Sequence, residues 1–238
     1  MKLWSHAERP ELVERRSEFD DAWNEFMYHD AVANAHWNRQ YDEFPDLQLY
    51  LVDEDDRLLA ECNAVPIPFG PDALPDDGWD AALAQAFAGA PAAAASAIAI
   101  TIRVDQRGKG LSKTMLDGMR AAVAARGLAD LVAPVRPSLK HLYPLVPAER
   151  YIEWRRDDGK LLDPWLRVHE SAGAQLVRVA PRSMRISGTV AEWEDWTTMA
   201  FPDSGSYVVP GALVPVEIDR ERDEGLYVEP NVWMHHRL

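Results

Sequence analysis

The sequence predicts one α/β domain built on a mixed sheet. Three observations predict it. β-branched apolar runs recur along the chain with helix-type segments between them. An early pair of such runs reads as a hairpin, and a strand, glycine loop, helix and strand follow one another over residues 97–136. No internal repeat or linker divides the 238 residues, a length that buries a sizeable core.

In chain order, residues 9–43 read as one or two amphipathic helices, with Leu12, Phe19, Trp23, Phe26 and Met27 at helical spacing. "LQLYLV" and "RLLAECNAV" flank the acidic "DEDD" and read as a β-hairpin. That turn lacks the glycine and final Glu of a calcium loop, so it reads as a solvated turn. A Pro-rich connection (64–78) leads to a short helix, "WDAALAQAF", and an alanine-rich approach to a strand ending at Val104. Residues 113–127 form a helix that Gly127 stops, and "ADLVAPV" is the next buried strand. A Pro-punctuated stretch, a helix in "PWLRVHESAG" and a strand in "AQLVRVAP" come next. The remainder carries a helix in "EWEDWTTM" and late strands near "SYVVPGALVPVEI".

Composition narrows the function. No apolar run approaches the roughly 20 residues of a membrane helix, and "MKLWSHAERP" lacks the apolar core of a signal peptide, so a cytoplasmic protein is expected. Cys62 is the sole cysteine, which rules out a disulfide framework or a cysteine-rich zinc site. A net charge of −14 argues against nucleic acid as partner. Yet residues 101–140 hold eight Lys and Arg against three acids, a basic island suited to a small polyanion. His235-His236 read as an exposed tail pair, and no His, Asp or Glu spacing looks metal-like.

The island centres on "VDQRGKGLSKTML". Backbone amides of a glycine loop, continued by the first turn of a helix, form an anion site. "GKGLSKT" fails as a Walker A loop because Ser112 precedes Lys113 and no glycine stands five residues further back. A dinucleotide fingerprint fails too: its third glycine would fall at Lys113, too late in the chain. The segment resembles the pyrophosphate loop of the GNAT superfamily of acyl-CoA-dependent N-acyltransferases. That signature is Arg or Gln, two residues, Gly, one residue, then Gly or Ala. Arg107 and Gly110 match, and Ser112 departs from the last position while staying small. Element order over about residues 10–136 follows the same family.

The resemblance implies a GNAT-like mixed central sheet flanked by helices. The whole chain, 1–238, would be one domain, with a core over about 10–187, an inserted segment at 145–163, and an extension at 188–238. It implies that pantetheine lies between the fourth and fifth strands. Backbone groups of Ile102 and Val104 would hold the thioester carbonyl and pantetheine amide. The amides of Arg107, Gly108, Lys109, Gly110, Leu111 and Ser112, with the charge of Lys113, would hold the pyrophosphate. An acyl-CoA or phosphopantetheine thioester is then the donor substrate, with no permanently bound cofactor, and a small-molecule amine attacks it directly.

Two residues compete for the family's acid. Tyr143 follows "ADLVAPV" but lacks the expected Gly-Phe after it, whereas His169 occupies the Tyr position before Gly173-Ala174. Glu61 and Glu170 are candidate bases, and Trp154, Trp165, Trp193 and Trp196 read as core. Some relatives take acyl groups from a carrier protein in secondary-metabolite biosynthesis, and such a partner would also suit the basic surface of Arg103, Lys109, Lys113 and Lys140. A homodimer is left open. The alternative class is a GNAT-like protein that binds thioesters without transferring to an amine, either decarboxylase-like or a carrier-protein-binding module.

Overall fold

The computed structural model describes residues 1–19 and 23–238. Strand β1 (Lys2–Ser5) edges the sheet and is followed by 3-10 turns over Pro10–Phe19 and Glu25–His29. Helices α1 (Ala31–His36) and α2 (Arg39–Glu43) are short. The expected amphipathic helices are thus 3-10 turns and two short helices. The apolar residues cause the misreading: Leu12, Phe19 and Phe26 recur every seven residues, a spacing that tight turns satisfy equally, and all three are buried. Asp30 then restarts the chain by accepting from the Ala33 amide at 2.8 Å, and Pro45 stops it.

The hairpin forms as expected from β2 (Gln48–Val52) and β3 (Leu58–Ile67), with Leu49 opposite Cys62 and Tyr50 opposite Glu61. In its turn Asp53 accepts the amides of Asp55 and Arg57, and Asp56 pairs with Arg9 at 2.7 Å. Helix α3 (Gly78–Ala86) precedes β4 (Ala94–Ile102). Helix α4 (Leu111–Ala125) buries Met115, Leu116, Met119 and Val123 against the sheet, and Gly127, at φ 78°, turns the chain into β5 (Asp130–Val135). The inserted segment holds α5 (Ala148–Tyr151) and is tied to α6 (Pro164–Ser171) through Asp163. That carboxylate caps α6, accepting from the Trp165 amide at 2.9 Å, and also accepts from the Tyr151 hydroxyl at 2.8 Å.

Beyond α6 come β6 (Gln175–Gly188), α7 (Val190–Thr197), β7 (Gly205–Tyr207), β8 (Val216–Asp219) and β9 (Glu224–Arg237). The sheet runs β1-β2-β3-β4-β5-β9-β8-β7, with β6 also on β9. So β9, from the stretch read as an extension, pairs with both β5 and β6 in the body of the sheet. Its residues alternate between the two faces: Trp233 joins the core around Trp79 and Trp193, while Val232 and Met234 join the core under α4. The exposed-tail reading of His235-His236 is therefore wrong. A histidine pair at the chain's end looks like a tail only when the strand beneath it goes unrecognised.

One buried pair has a measurable consequence. Asp30 and Asp80 share a site in which Asp30 Oδ2 and Asp80 Oδ1 have no donor. Burial and the neighbouring Asp30 carboxylate push Asp80 up to about 8, so one proton is shared between the two. The folded protein keeps that proton to about pH 8, whereas an unfolded aspartate releases it near 3.8. Stability from this site is thus full at acid pH and lost as pH rises through that window. Asp80→Asn, whose amide can donate to Asp30, should show no gain below the window. It should gain on the order of 2 kcal/mol above it, read from denaturant midpoints at the two pH values.

Candidate active site

β4 and β5 are parallel neighbours only at their starts, where Ala95 lies opposite Leu131 and Ser96 opposite Val132. Beyond Ser96, β4 stays on β3 while β5 stays on β9, so the two strands part. The Arg103 amide donates to Leu59 of β3 at 3.1 Å. By alternation Thr101 faces β3, and Ile100 and Ile102 turn their amides and carbonyls toward the opening. The Ile102 carbonyl accepts from Arg107 Nε at 3.4 Å, and the Ile98 carbonyl from Trp79 Nε1 at 2.9 Å, in keeping with that phase. Val104 lies past the strand end in a 3-10 turn, 59% exposed, so Ile100 rather than Val104 is the second residue whose backbone faces the gap.

The loop closes the lower end of β4. Gly108 (φ 76°) and Gly110 (φ 79°) both adopt left-handed backbone, which glycine takes without strain, and Gly110 stands at the N-terminus of α4. A Cβ at either would meet nothing within 4 Å, so these glycines serve backbone shape and leave the loop's face clear. Most of the basic island is already neutralised. Arg103 pairs with Glu18 at 2.5 Å, Lys113 with Asp117, Arg126 with Asp46, and Arg136 with Glu229 at 2.9 Å. Lys140 is only 1% exposed and donates to the carbonyls of Tyr143 and Leu213, which removes it from the basic surface expected of it. Among the described residues of the island, Arg107 and Lys109 are the exposed cations with no carboxylate partner. They flank Gly108. A cavity of about 430 Å3 is lined by Arg107 together with Glu18, Phe19, Ile102, Arg103, Val104 and Asp105.

A second cavity of about 330 Å3 occupies the gap between the strands. Ala97–Ile100 of β4 and Ala133–Val135 of β5 form its walls, and Trp23, Trp37, Trp79, Trp165 and Tyr28 give it an aromatic lining. His169 reaches it from α6, where it is 2% exposed. Its Nδ1 lies 2.9 Å from His236 Nε2, and Trp165 stands edge-on to its ring at 4.8 Å. Burial, reinforced by His236, pushes His169 down to about 3, so the ring is neutral at physiological pH.

The sequence-derived candidates thus separate. His169 is in the cavity wall. Tyr143 is outside it, 39% exposed, and stacks edge-on against Trp154 at 4.9 Å. Tyr143→Phe is expected to leave kcat/KM within about twofold in a steady-state assay, the scale of a surface substitution. Glu61 is buried behind Arg16, which it binds at 3.1 Å, and also takes the Tyr41 hydroxyl. Glu170 accepts the Leu161 amide at 3.1 Å. Both carboxylates hold structure together. Trp193 is core as read, whereas Trp165 lines the cavity. Trp23, Trp37 and Trp79 were absent from the sequence reading of the site; they are spread along the first third of the chain, and no local spacing marks them as one lining. Among the described residues no cluster of His, Cys, Asp and Glu could hold a metal, and no helix is long and apolar enough to cross a membrane.

No family model matches the chain. Direct comparison is informative. The chain is 33% identical to arginine N-acetyltransferase avaD of Aspergillus versicolor, over an alignment taking in 99% of this chain and 93% of that one. Two solved structures share the fold end to end. The loading GNATL domain of CurA from Lyngbya majuscula aligns with a TM-score of 0.67 at 18% identity, covering 99% of this chain and 96% of that one. The GphF GNAT-like decarboxylase in complex with isobutyryl-CoA gives 0.61 at 16% identity, covering 100% and 99%. Parted strands, a glycine loop at a helix start and this relationship define one class. The chain belongs to the GNAT superfamily, and it is an N-acyltransferase.

Proposed function

We propose that the protein transfers an acyl group from a CoA thioester to the amine of a small cationic amino acid, with arginine the first acceptor to try. The observation that carries this reading is the parting of β4 and β5 over a cavity with His169 in its wall. Pantetheine would lie along β4, with Ile100 and Ile102 offering backbone partners. The loop amides from Arg107 to Ser112, with the charges of Arg107 and Lys109, would take the pyrophosphate, and Lys113 would add its charge only by leaving Asp117.

The amine nitrogen attacks the thioester carbonyl. Once the ammonium has released one proton to solvent, the C–N bond forms, the C–S bond breaks, and the second proton lost from nitrogen ends on the departing thiolate to give the free thiol. Positioning in the gap and donors for the developing oxyanion supply the rate. The aromatic lining favours a cationic acceptor, since a guanidinium or ammonium is attracted to ring faces. The chain's acidity adds a weak long-range pull in the same direction. The activity in the name of the avaD relative agrees with this choice.

Incubation with acetyl-CoA and arginine, following thiol release and the mass of the product, tests the proposal. N-acetylarginine formed in step with free thiol supports it. Thioester consumption without an acylated amine, across a panel of cationic amines, would favour the thioester-binding alternative. An acyl carrier protein as donor is tested by replacing acetyl-CoA with an acetyl-loaded carrier in the same assay.

A further inference from the structure

His169 and His236 meet through one nitrogen each, at 2.9 Å, in a setting that burial keeps dry. When both rings are neutral, a single hydrogen lies between those nitrogens, so one ring donates and the other accepts. The choice decides what His169 offers the cavity. If His236 donates, the hydrogen of His169 is on Nε2. If His169 donates, its Nε2 carries a lone pair.

The far side of His236 makes the choice. Its Nδ1 is buried without a partner. From α4, Arg120 brings a buried Nε that also has no partner, and its charge acts on the His236 ring. Arginine only donates. A positive charge acting on a ring whose Nδ1 has no partner favours the tautomer that leaves Nδ1 bare over the one that turns an N–H toward the cation. The hydrogen of His236 is then on Nε2 and points at His169 Nδ1.

Of the other charged groups nearby, Asp117 of α4 is bound to Lys113 and lies 3.8 Å from Arg120, opposing that cation's effect on the His236 ring only in part. His235 of β9 lies 2.7 Å from Asp130, and Glu170 of α6 holds the Leu161 amide. We infer that Arg120 and His236 are positioning residues that hold His169 as a neutral hydrogen-bond donor, Nε2–H toward the thioester oxygen. The inference rests on the acyl-transfer reading for its substrate and on the histidine geometry for its direction. Burial and the Arg120 charge keep His236 neutral as well, down to about 4. A neutral imidazole stabilises an oxyanion by hydrogen bonding without surrendering its proton. As the amine attacks, the carbonyl π pair moves onto oxygen and is held by Nε2–H; it returns as the C–S bond breaks. His169 keeps its hydrogen throughout.

Nitrogen-15 NMR of histidine-labelled protein, with His169 assigned through His169→Gln, reads the tautomer directly. The expected pattern is Nε2–H with a bare Nδ1. His236→Glu presents an acceptor to His169 Nδ1 and should move that hydrogen to Nδ1, lowering kcat about 100-fold while KM for the thioester holds. His236→Gln, whose amide can donate, should recover kcat to within about tenfold of wild type. An Nδ1–H pattern in the wild type, or full kcat in His236→Glu, would overturn the inference and make His169 a base. The tautomer is read on the resting protein, so a failed acyl-transfer assay would leave this result standing on its own.

Discussion

His169→Ala is expected to lower kcat by about 10²–10³-fold while KM for the acyl thioester stays within about twofold, the signature of losing a group that acts chiefly in the transition state. The thioester is proposed to be held by β4 backbone and the glycine loop, whereas His169 enters the cavity from α6. What His169 contributes is a polar atom in a largely apolar, aromatic cavity whose lining also includes Arg136 and Asn231. In such surroundings a hydrogen bond to developing charge is worth more than in water, and no solvent replaces it at once. The substitution leaves a hole beside Trp165, so circular dichroism and thioester titration should accompany the kinetics. Intact fold and intact thioester binding with lost turnover is the expected combination. Unchanged kcat would remove His169 from the reaction.

Gly110→Asp is expected to weaken acetyl-CoA binding at least 100-fold with the fold retained. Aspartate tolerates left-handed backbone better than most residues, and the added Cβ meets no neighbour, so folding costs on the order of 1 kcal/mol. The carboxylate, however, would sit at the start of α4. There it would take the free amides of the first turn for itself and repel the pyrophosphate. Calorimetric titration with acetyl-CoA, beside a thermal melt of the same sample, checks both halves. Thioester binding that survived this change would place the pyrophosphate elsewhere.

Much of this site was legible because it is local. Strand, glycine loop and helix are written in consecutive residues, and Arg107 and Gly110 carry the family resemblance without help from the fold. The hairpin declared itself through two strand-like runs about an acidic turn, and α7 was read within "EWEDWTTM", while the capping box between Thr189 and Glu192 that starts it came from the structure. What stayed hidden depends on distant pairing. β9 ends the chain, yet it pairs with β5 and β6, and nothing within "LYVEPNVWMHHR" says which strands it will join. His236 was unreadable for that reason: its partner is 67 residues away. The basic island misled in the opposite direction. Charges counted along the sequence ignore the acids that Glu18, Asp46 and Glu229 bring from elsewhere, which leave Arg107 and Lys109 as the exposed uncommitted cations among its described residues. The N-terminal apolar spacing was real, but seven-residue recurrence does not separate an α-helix from 3-10 turns.

The measurement that bears most directly on the account is side-by-side calorimetric titration with acetyl-CoA and an acetyl-loaded carrier protein at two salt concentrations. One acetyl-CoA is expected to bind per chain, more weakly as salt rises because the loop cations hold phosphate. Binding should be lost in Gly110→Asp and kept in His169→Ala. Absence of binding to either donor would contradict the assignment of the β4–β5 gap to a pantetheine thioester.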